Sequence, residues 1–135
     1  MKKEIVNGET QMIFKLGDFG FAAQKNTFST TLGTYPYMAP ELFESGEYDS
    51  GVDVWALGVM THQLAFGHIY FIGNDQWEIK KKVLNVDYKL GPKERSMVSS
   101  EFQDFVSKCL VKDRSKRMKA SDLCSHPVFN KIREQ

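Results

Sequence analysis

The sequence is short of the features that would send a chain out of the cell or into a bilayer. It holds only two cysteines, Cys109 and Cys124, on otherwise apolar helical patterns and without the spacing of zinc ligands. Both are expected as reduced core thiols of an intracellular, cytoplasmic protein. Neither charge sign is in excess: the formal net charge is +1, so neither nucleic acid nor an anionic membrane is expected as a partner. The run Lys80-Lys81-Lys82 reads as a solvated helix face rather than a binding patch. The first eight residues are charged and lack the apolar stretch of a signal peptide. The longest apolar stretch, residues 52–72, is interrupted by Thr61, His62, Gln63 and His68 and punctuated by Gly58 and Gly67. A helix buried in protein fits it better than a membrane span.

What remains is the make-up of one soluble domain of 135 residues, 41% apolar and 26% charged, long enough to bury a core of its own. Residues 4–6 and 11–16 flank Asn7-Gly8, a pair that supplies the positive φ angles of a tight turn, so a small β-hairpin opens the chain. Residues 17–32 keep no period and are rich in Ser, Thr, Asn and Gln; they form a long loop. About five helices follow. Pro40 opens a short one with Leu42 and Phe43, and Ser50 is expected to cap a long one, with Asp53 at capping-box spacing. In that long helix Val54, Trp55, Leu57, Val59, Met60 and Leu64 leave almost no polar face, which predicts a place in the middle of the core. Asn74 is expected to cap a helix carrying Trp77, Ile79, Val83 and Leu84, and Ser100 to open another on which Phe102, Phe105, Val106, Cys109 and Leu110 form one stripe. A last short helix covers residues 120–124 and stops before Pro127.

Two strings carry chemistry. Asp18-Phe19-Gly20 follows the second hairpin strand, and Ala39-Pro40-Glu41 lies behind it after Gly33-Thr34-Tyr35-Pro36-Tyr37-Met38. Together they resemble the two ends of the activation segment of the protein kinases. Asp53-Val54-Trp55-Ala56-Leu57-Gly58 resembles the Asp-x-Trp-x-x-Gly of the central kinase helix. Asp113-Arg114-Ser115-Lys116-Arg117 and His126-Pro127-Val128-Phe129 resemble the segments that close the domain. The resemblance runs from about residue 4 to residue 129, in family order and spacing. It implies a mainly α fold: a kinase C-lobe helical bundle with an N-terminal β-hairpin and a long activation loop, occupying residues 1–130 with a tail at 131–135.

The resemblance also assigns roles. Asp18 would ligate the Mg²⁺ that bridges the phosphates of ATP, Phe19 would pack into the core, and Gly20 would let the chain turn. Ser29, Thr30 and Thr31 lie where an upstream kinase places an activating phosphate; the alternative is a plain polar loop rich in hydroxyls. Gly33, Thr34 and Tyr37 would form the loop that receives the substrate residue after the acceptor, and Thr34 points to Ser/Thr acceptors in a protein substrate. Ala39, Pro40, Asp53, Trp55 and Gly58 would be structural, and Glu41 and Arg117 would form a buried ion pair. Gln63 stands where kinases that read substrate arginine often carry Glu. The calmodulin-dependent and autophagy-initiating kinases are the subgroups most similar in their Asp-Phe-Gly-Phe-Ala and Thr-Leu-Gly-Thr strings.

Several family parts are not found in these residues. There is no glycine-rich nucleotide loop, no strand Lys in a Val-Ala-Ile-Lys-like string, and no His-Arg-Asp catalytic loop, so the catalytic Asp is missing. Two readings stay open: a Ser/Thr kinase whose upper lobe or partner chain is supplied from elsewhere, and a non-catalytic docking module of kinase descent. Either way this stretch by itself is expected to be inactive, with Asp53 short of its usual backbone partners and an apolar face left exposed.

Overall fold

A computed structural model of the chain describes residues 2–6 and 9–13 as backbone, and residues 15–17, 34–44 and 47–130 with their side chains. Strands β1 (Lys2–Val6) and β2 (Glu9–Ile13) pair antiparallel from Lys2↔Ile13 to Val6↔Glu9. Strand β2 spans Glu9–Ile13, where the sequence pattern predicts residues 11–16. Residues 15–17 lie beyond it and are exposed.

Among the described residues the rest is helical. A 3₁₀ turn, Tyr35–Tyr37, leads into α1 (Pro40–Phe43), followed by α2 (Gly51–Phe66), α3 (Gln76–Asn85), α4 (Pro92–Met97), α5 (Ser100–Cys109) and α6 (Ala120–Leu123); a second 3₁₀ turn is Pro127–Phe129. Ser50 precedes α2 as expected, while two other helix caps lie one residue away from the expected one. Ser50 has helical backbone angles and no capping bond; instead Asp49 Oδ1 accepts from Gly51 N at 2.8 Å. Asp75, not Asn74, is extended and accepts from the N–H groups of Trp77 and Glu78 at 2.8 and 2.9 Å. Ser99, not Ser100, accepts from Phe102 N at 3.2 Å. A capping side chain works only from a non-helical backbone position, and neighbouring Ser, Asp and Asn residues are chemically equal candidates for it. The far end of α2 closes on Gly67, whose φ of 77° is the left-handed conformation that glycine adopts without strain.

The core lies between α2 and α5. Val54, Trp55 and Val59 of α2 are buried in one cluster with Phe105, Val106 and Cys109 of α5, and Phe71, Ile79 and Val83 join from the α3 side. The axes come close because Gly58 has no side chain. A Cβ there would sit 2.7 Å from Cys109 Cβ and 2.9 Å from Leu110 Cδ2. Burial pushes the Cys109 thiol up to about 12, with Arg117 opposing, so it stays a protonated core group. Cys124, expected in the core, is exposed on the turn after α6.

Helix α2 is not surrounded on all sides, contrary to its hydropathy. Met60 and Leu64 are 46% and 82% exposed on one face while Trp55 and Val59 are sealed on the other. The sequence shows that every face is apolar, but a helix is buried only where a neighbour covers it. Asp53, short of its usual backbone partners, is exposed to solvent. No helix among the described residues is long and apolar enough to cross a membrane.

Candidate functional site

The stretch from Thr34 to Glu41 is the part of the sequence-assigned site that the structure places. Thr34 is exposed, and its carbonyl accepts from Tyr37 N at 2.9 Å to close the 3₁₀ turn, which Pro36 favours by fixing φ. The Tyr37 hydroxyl donates to Gln63 Oε1 at 2.7 Å, tying this turn to the C-terminal half of α2. Met38 and Ala39 are then buried, and Pro40 opens α1 with Glu41 in its first turn.

Glu41 meets Arg117 across 76 positions of sequence. Arg117 Nη1 donates to Glu41 Oε1 at 2.6 Å and Nη2 to Oε2 at 2.9 Å, the two-pronged geometry that a planar guanidinium allows. The remaining N–H groups go to backbone carbonyls: Nε to Val111 at 2.9 Å, Nη1 to Gly51 at 3.0 Å and Nη2 to Lys112 at 3.2 Å. All five donors are therefore used, the condition under which a buried charge is tolerated. The guanidinium carbon also lies 5.2 Å from the centroid of the Trp55 ring, whose other partner is Phe71, stacked at 5.4 Å. The Trp55 indole Nε1 is buried and has no hydrogen-bond partner among the described residues.

A second polar pair closes the C-terminal end. His126 Nδ1 accepts from Val128 N at 3.2 Å, which fixes the ring proton on Nε2, and Nε2 donates to Asp104 Oδ2 at 2.9 Å. Asp104 also receives Lys108 at 2.7 Å. Chiefly through that bond, with His126 adding to it against partial burial, the Asp104 carboxyl is held below the usual carboxylate range.

On the outer side of the 3₁₀ turn, Tyr35, Leu42, Phe43, Gln76, Trp77 and Lys80 line a groove of about 210 Å³. Trp77 is 69% and Tyr35 41% exposed along it, an amphipathic surface suited to holding a peptide.

A family model described as "Protein kinase domain" matches residues 2–129. The chain belongs to the protein kinase domain family. Among individual proteins it is 36% identical over 114 residues to the serine/threonine-protein kinase Aurora-2 of Arabidopsis thaliana, covering 84% of this chain and 40% of that protein. It is 36% identical over 123 residues to the calcium/calmodulin-dependent protein kinase type I of Schizosaccharomyces pombe, covering 87% and 37%. To the myosin light chain kinase 2 of Mus musculus it is 33% identical over 129 residues, covering 93% and 21%. The chain thus spans two fifths or less of the length of these relatives.

Within the kinase domain the structure brings together Tyr37, Ala39, Pro40, Glu41, Trp55, Gly58 and Arg117 around α2. Thr34, bonded to Tyr37 through its carbonyl, and Asp53 are exposed. Asp18, Phe19, Gly20, Ser29, Thr30, Thr31 and Gly33 lie outside the described residues. The Tyr37–Gln63 bond was not foreseen. Its signal was the coincidence of an acceptor-loop Tyr with an uncharged Gln at the position where Glu would read arginine. Helix α4 was also missed, although Gly91-Pro92 followed by Glu94 is a helix-start pattern: Gly91 N donates to Glu94 Oε2 at 2.8 Å.

Proposed function

We propose that this chain supplies the substrate-facing helical lobe of a serine/threonine protein kinase, a phosphotransferase that moves the γ-phosphoryl group of ATP onto protein hydroxyls. The observation that supports it is the anchoring of the Thr34–Glu41 stretch. Tyr37 is tied to Gln63, and Glu41 to Arg117, so the acceptor loop stands on the α2–α5 core as a rigid ledge. In such a reaction a substrate Oγ–phosphorus bond forms as the bond from the γ-phosphorus to ADP breaks. The role of this lobe is to hold the hydroxyl in line. Thr34 and the groove by Tyr35 and Trp77 are the surfaces available for the peptide. Because Gln63 is uncharged and already accepts from Tyr37, no strong preference for arginine is expected there. Ser29, Thr30 and Thr31 are the proposed targets of an upstream kinase.

The resemblance gives Asp18 to Mg²⁺. Asp18 lies outside the described residues, and among those described the carboxylates do not gather into the oxygen-rich set that Mg²⁺ takes. When bound to ATP it would neutralise the phosphate charge. The 135 residues hold no catalytic-loop Asp or strand Lys of the family pattern, and the chain alone is expected to transfer no phosphate.

The test is transfer from labelled Mg-ATP to Ser, Thr and Tyr peptides by the gene product that carries this segment, with the coding DNA upstream of Met1 read in frame. His-Arg-Asp and strand-Lys codons upstream, with labelling of Ser and Thr peptides that is lost in Asp18→Ala, are the expected results. Labelling confined to Tyr overturns the acceptor class. An in-frame stop upstream with no labelling overturns the enzyme and leaves the docking module, which the exposed Trp77 of the groove favours.

A further inference from the structure

The structure also gathers three side chains that the kinase reading does not use. His62 lies in the last turns of α2, His68 in the turn just after it, and Glu94 on α4. One ligand atom from each lies within 4.8 Å of the others, and His68 Nε2 is 3.8 Å from Glu94 Oε1. The bland account is a core histidine beside a surface ion pair, and aromatic packing around His62 favours it: Phe66, Tyr70 and Tyr88 have ring centroids 4.7, 5.2 and 5.6 Å away. Two further observations go against that account.

First, His62 is fully buried, yet its Nε2 has no hydrogen-bond partner among the described residues. A sealed ring nitrogen without a partner is uncommon and calls for a missing one. Secondly, every ligand candidate is held through its other polar atom. His62 Nδ1 is 3.0 Å from the Tyr88 hydroxyl. His68 Nδ1 is 3.2 Å from Phe66 O, an atom that can only accept, so Nδ1 donates there and Nε2 is the nitrogen turned toward Glu94. Glu94 Oε2 accepts from Gly91 N at 2.8 Å, leaving Oε1 toward His68. Imidazoles fixed through one nitrogen and presenting the other are the usual outer-shell arrangement of metal ligands.

We propose that His62, His68 and Glu94 form a site for a divalent transition-metal ion of the zinc class, which clips the end of α2 to α4. Two imidazoles and one carboxylate are the donor set that zinc takes when a fourth position is left to water or to a partner's group. His68 is more than half exposed, so that position faces solvent. Bond lengths near 2.0–2.1 Å at a tetrahedral ion place ligand atoms about 3.4 Å apart, so closing the observed spacing of up to 4.8 Å takes small side-chain shifts at the exposed His68 and the half-buried Glu94. Mg²⁺, which prefers oxygen ligands, does not suit this set.

The test uses the full 135-residue chain, untagged and carrying Cys124→Ser so that the exposed thiol does not compete. Zn²⁺ is titrated calorimetrically, and Co²⁺ is followed by its visible absorption. The expected result is one equivalent bound at micromolar or tighter Kd, with a four-coordinate cobalt spectrum and no competition from millimolar Mg²⁺. His68→Ala, whose side chain is exposed and not needed for folding, weakens binding at least tenfold, as does Glu94→Gln. Tyr88→Phe weakens it roughly tenfold to a hundredfold through the lost support of His62. No zinc binding by the folded parent, or equal binding by folded His68→Ala, overturns the site.

Discussion

Arg117 shows how far one side chain can be committed. Its two bonds to Glu41 and three to the carbonyls of Gly51, Val111 and Lys112 join the 41–51 stretch to the distant segment around Arg117 itself. Replacing a buried ion pair by apolar groups is often harmless, but removing one partner strands the other charge at a cost of about 3–5 kcal/mol. Arg117→Ala or Glu41→Ala is therefore expected to lower the melting temperature by on the order of 10 °C, and Arg117→Lys to recover little because an ammonium cannot replace the fork. Thermal melts followed by circular dichroism decide it; a shift under about 2 °C would dissolve the argument. This pair was legible in the sequence, since the family strings containing Glu41 and Arg117 imply it. The three carbonyl partners were not, because backbone acceptors leave no trace in residue identity. Asp53 is similar: its type and spacing are visible in the chain, whereas its exposure depends on what packs around it.

At the scale of elements, the contact between α2 and α5 rests on the absence of a side chain at Gly58. Alanine would gain about 1 kcal/mol in helix propensity. Its methyl carbon would also have to enter space 2.7 Å from Cys109 Cβ, a buried atom on a packed helix. Overpacking of this kind costs typically 1–3 kcal/mol, so the clash wins. Gly58→Ala is expected to lower the urea midpoint with an unchanged slope, and a higher midpoint would mean that the helices part freely. Element existence was well marked by apolar period: the α5 stripe from Phe102 to Leu110 needed no structure to be found. Element edges were not, because the cap is chosen by backbone angles between equivalent neighbours such as Ser99 and Ser100. The solvent-facing side of α2, with Met60 and Leu64, was hidden for the opposite reason. An all-apolar helix has no sequence mark of which side its neighbours cover.

For the whole molecule, the kinase family and its helical architecture were legible from ordered motifs, while the Tyr37–Gln63 bond and the His62 cluster were not. Both depend on residues brought together by the fold at separations no periodicity marks. The Glu41–Arg117 pair has one more consequence, which concerns time rather than strength. Bringing together groups 76 positions apart carries a chain-entropy cost on the order of 4 kcal/mol if nothing between them is yet ordered. The cost shrinks once α2 and α5 have docked, because the docked helices shorten the free chain between the pair. We therefore expect the pair to close after the folding barrier has been crossed. In stopped-flow measurements Glu41→Ala and Arg117→Ala should then unfold faster while folding at nearly the parental rate, and a matching slowdown in folding would place the pair in the nucleus instead. A clasp that closes late does not guide the chain to its fold, but it sets how long the finished acceptor ledge lasts before it opens again.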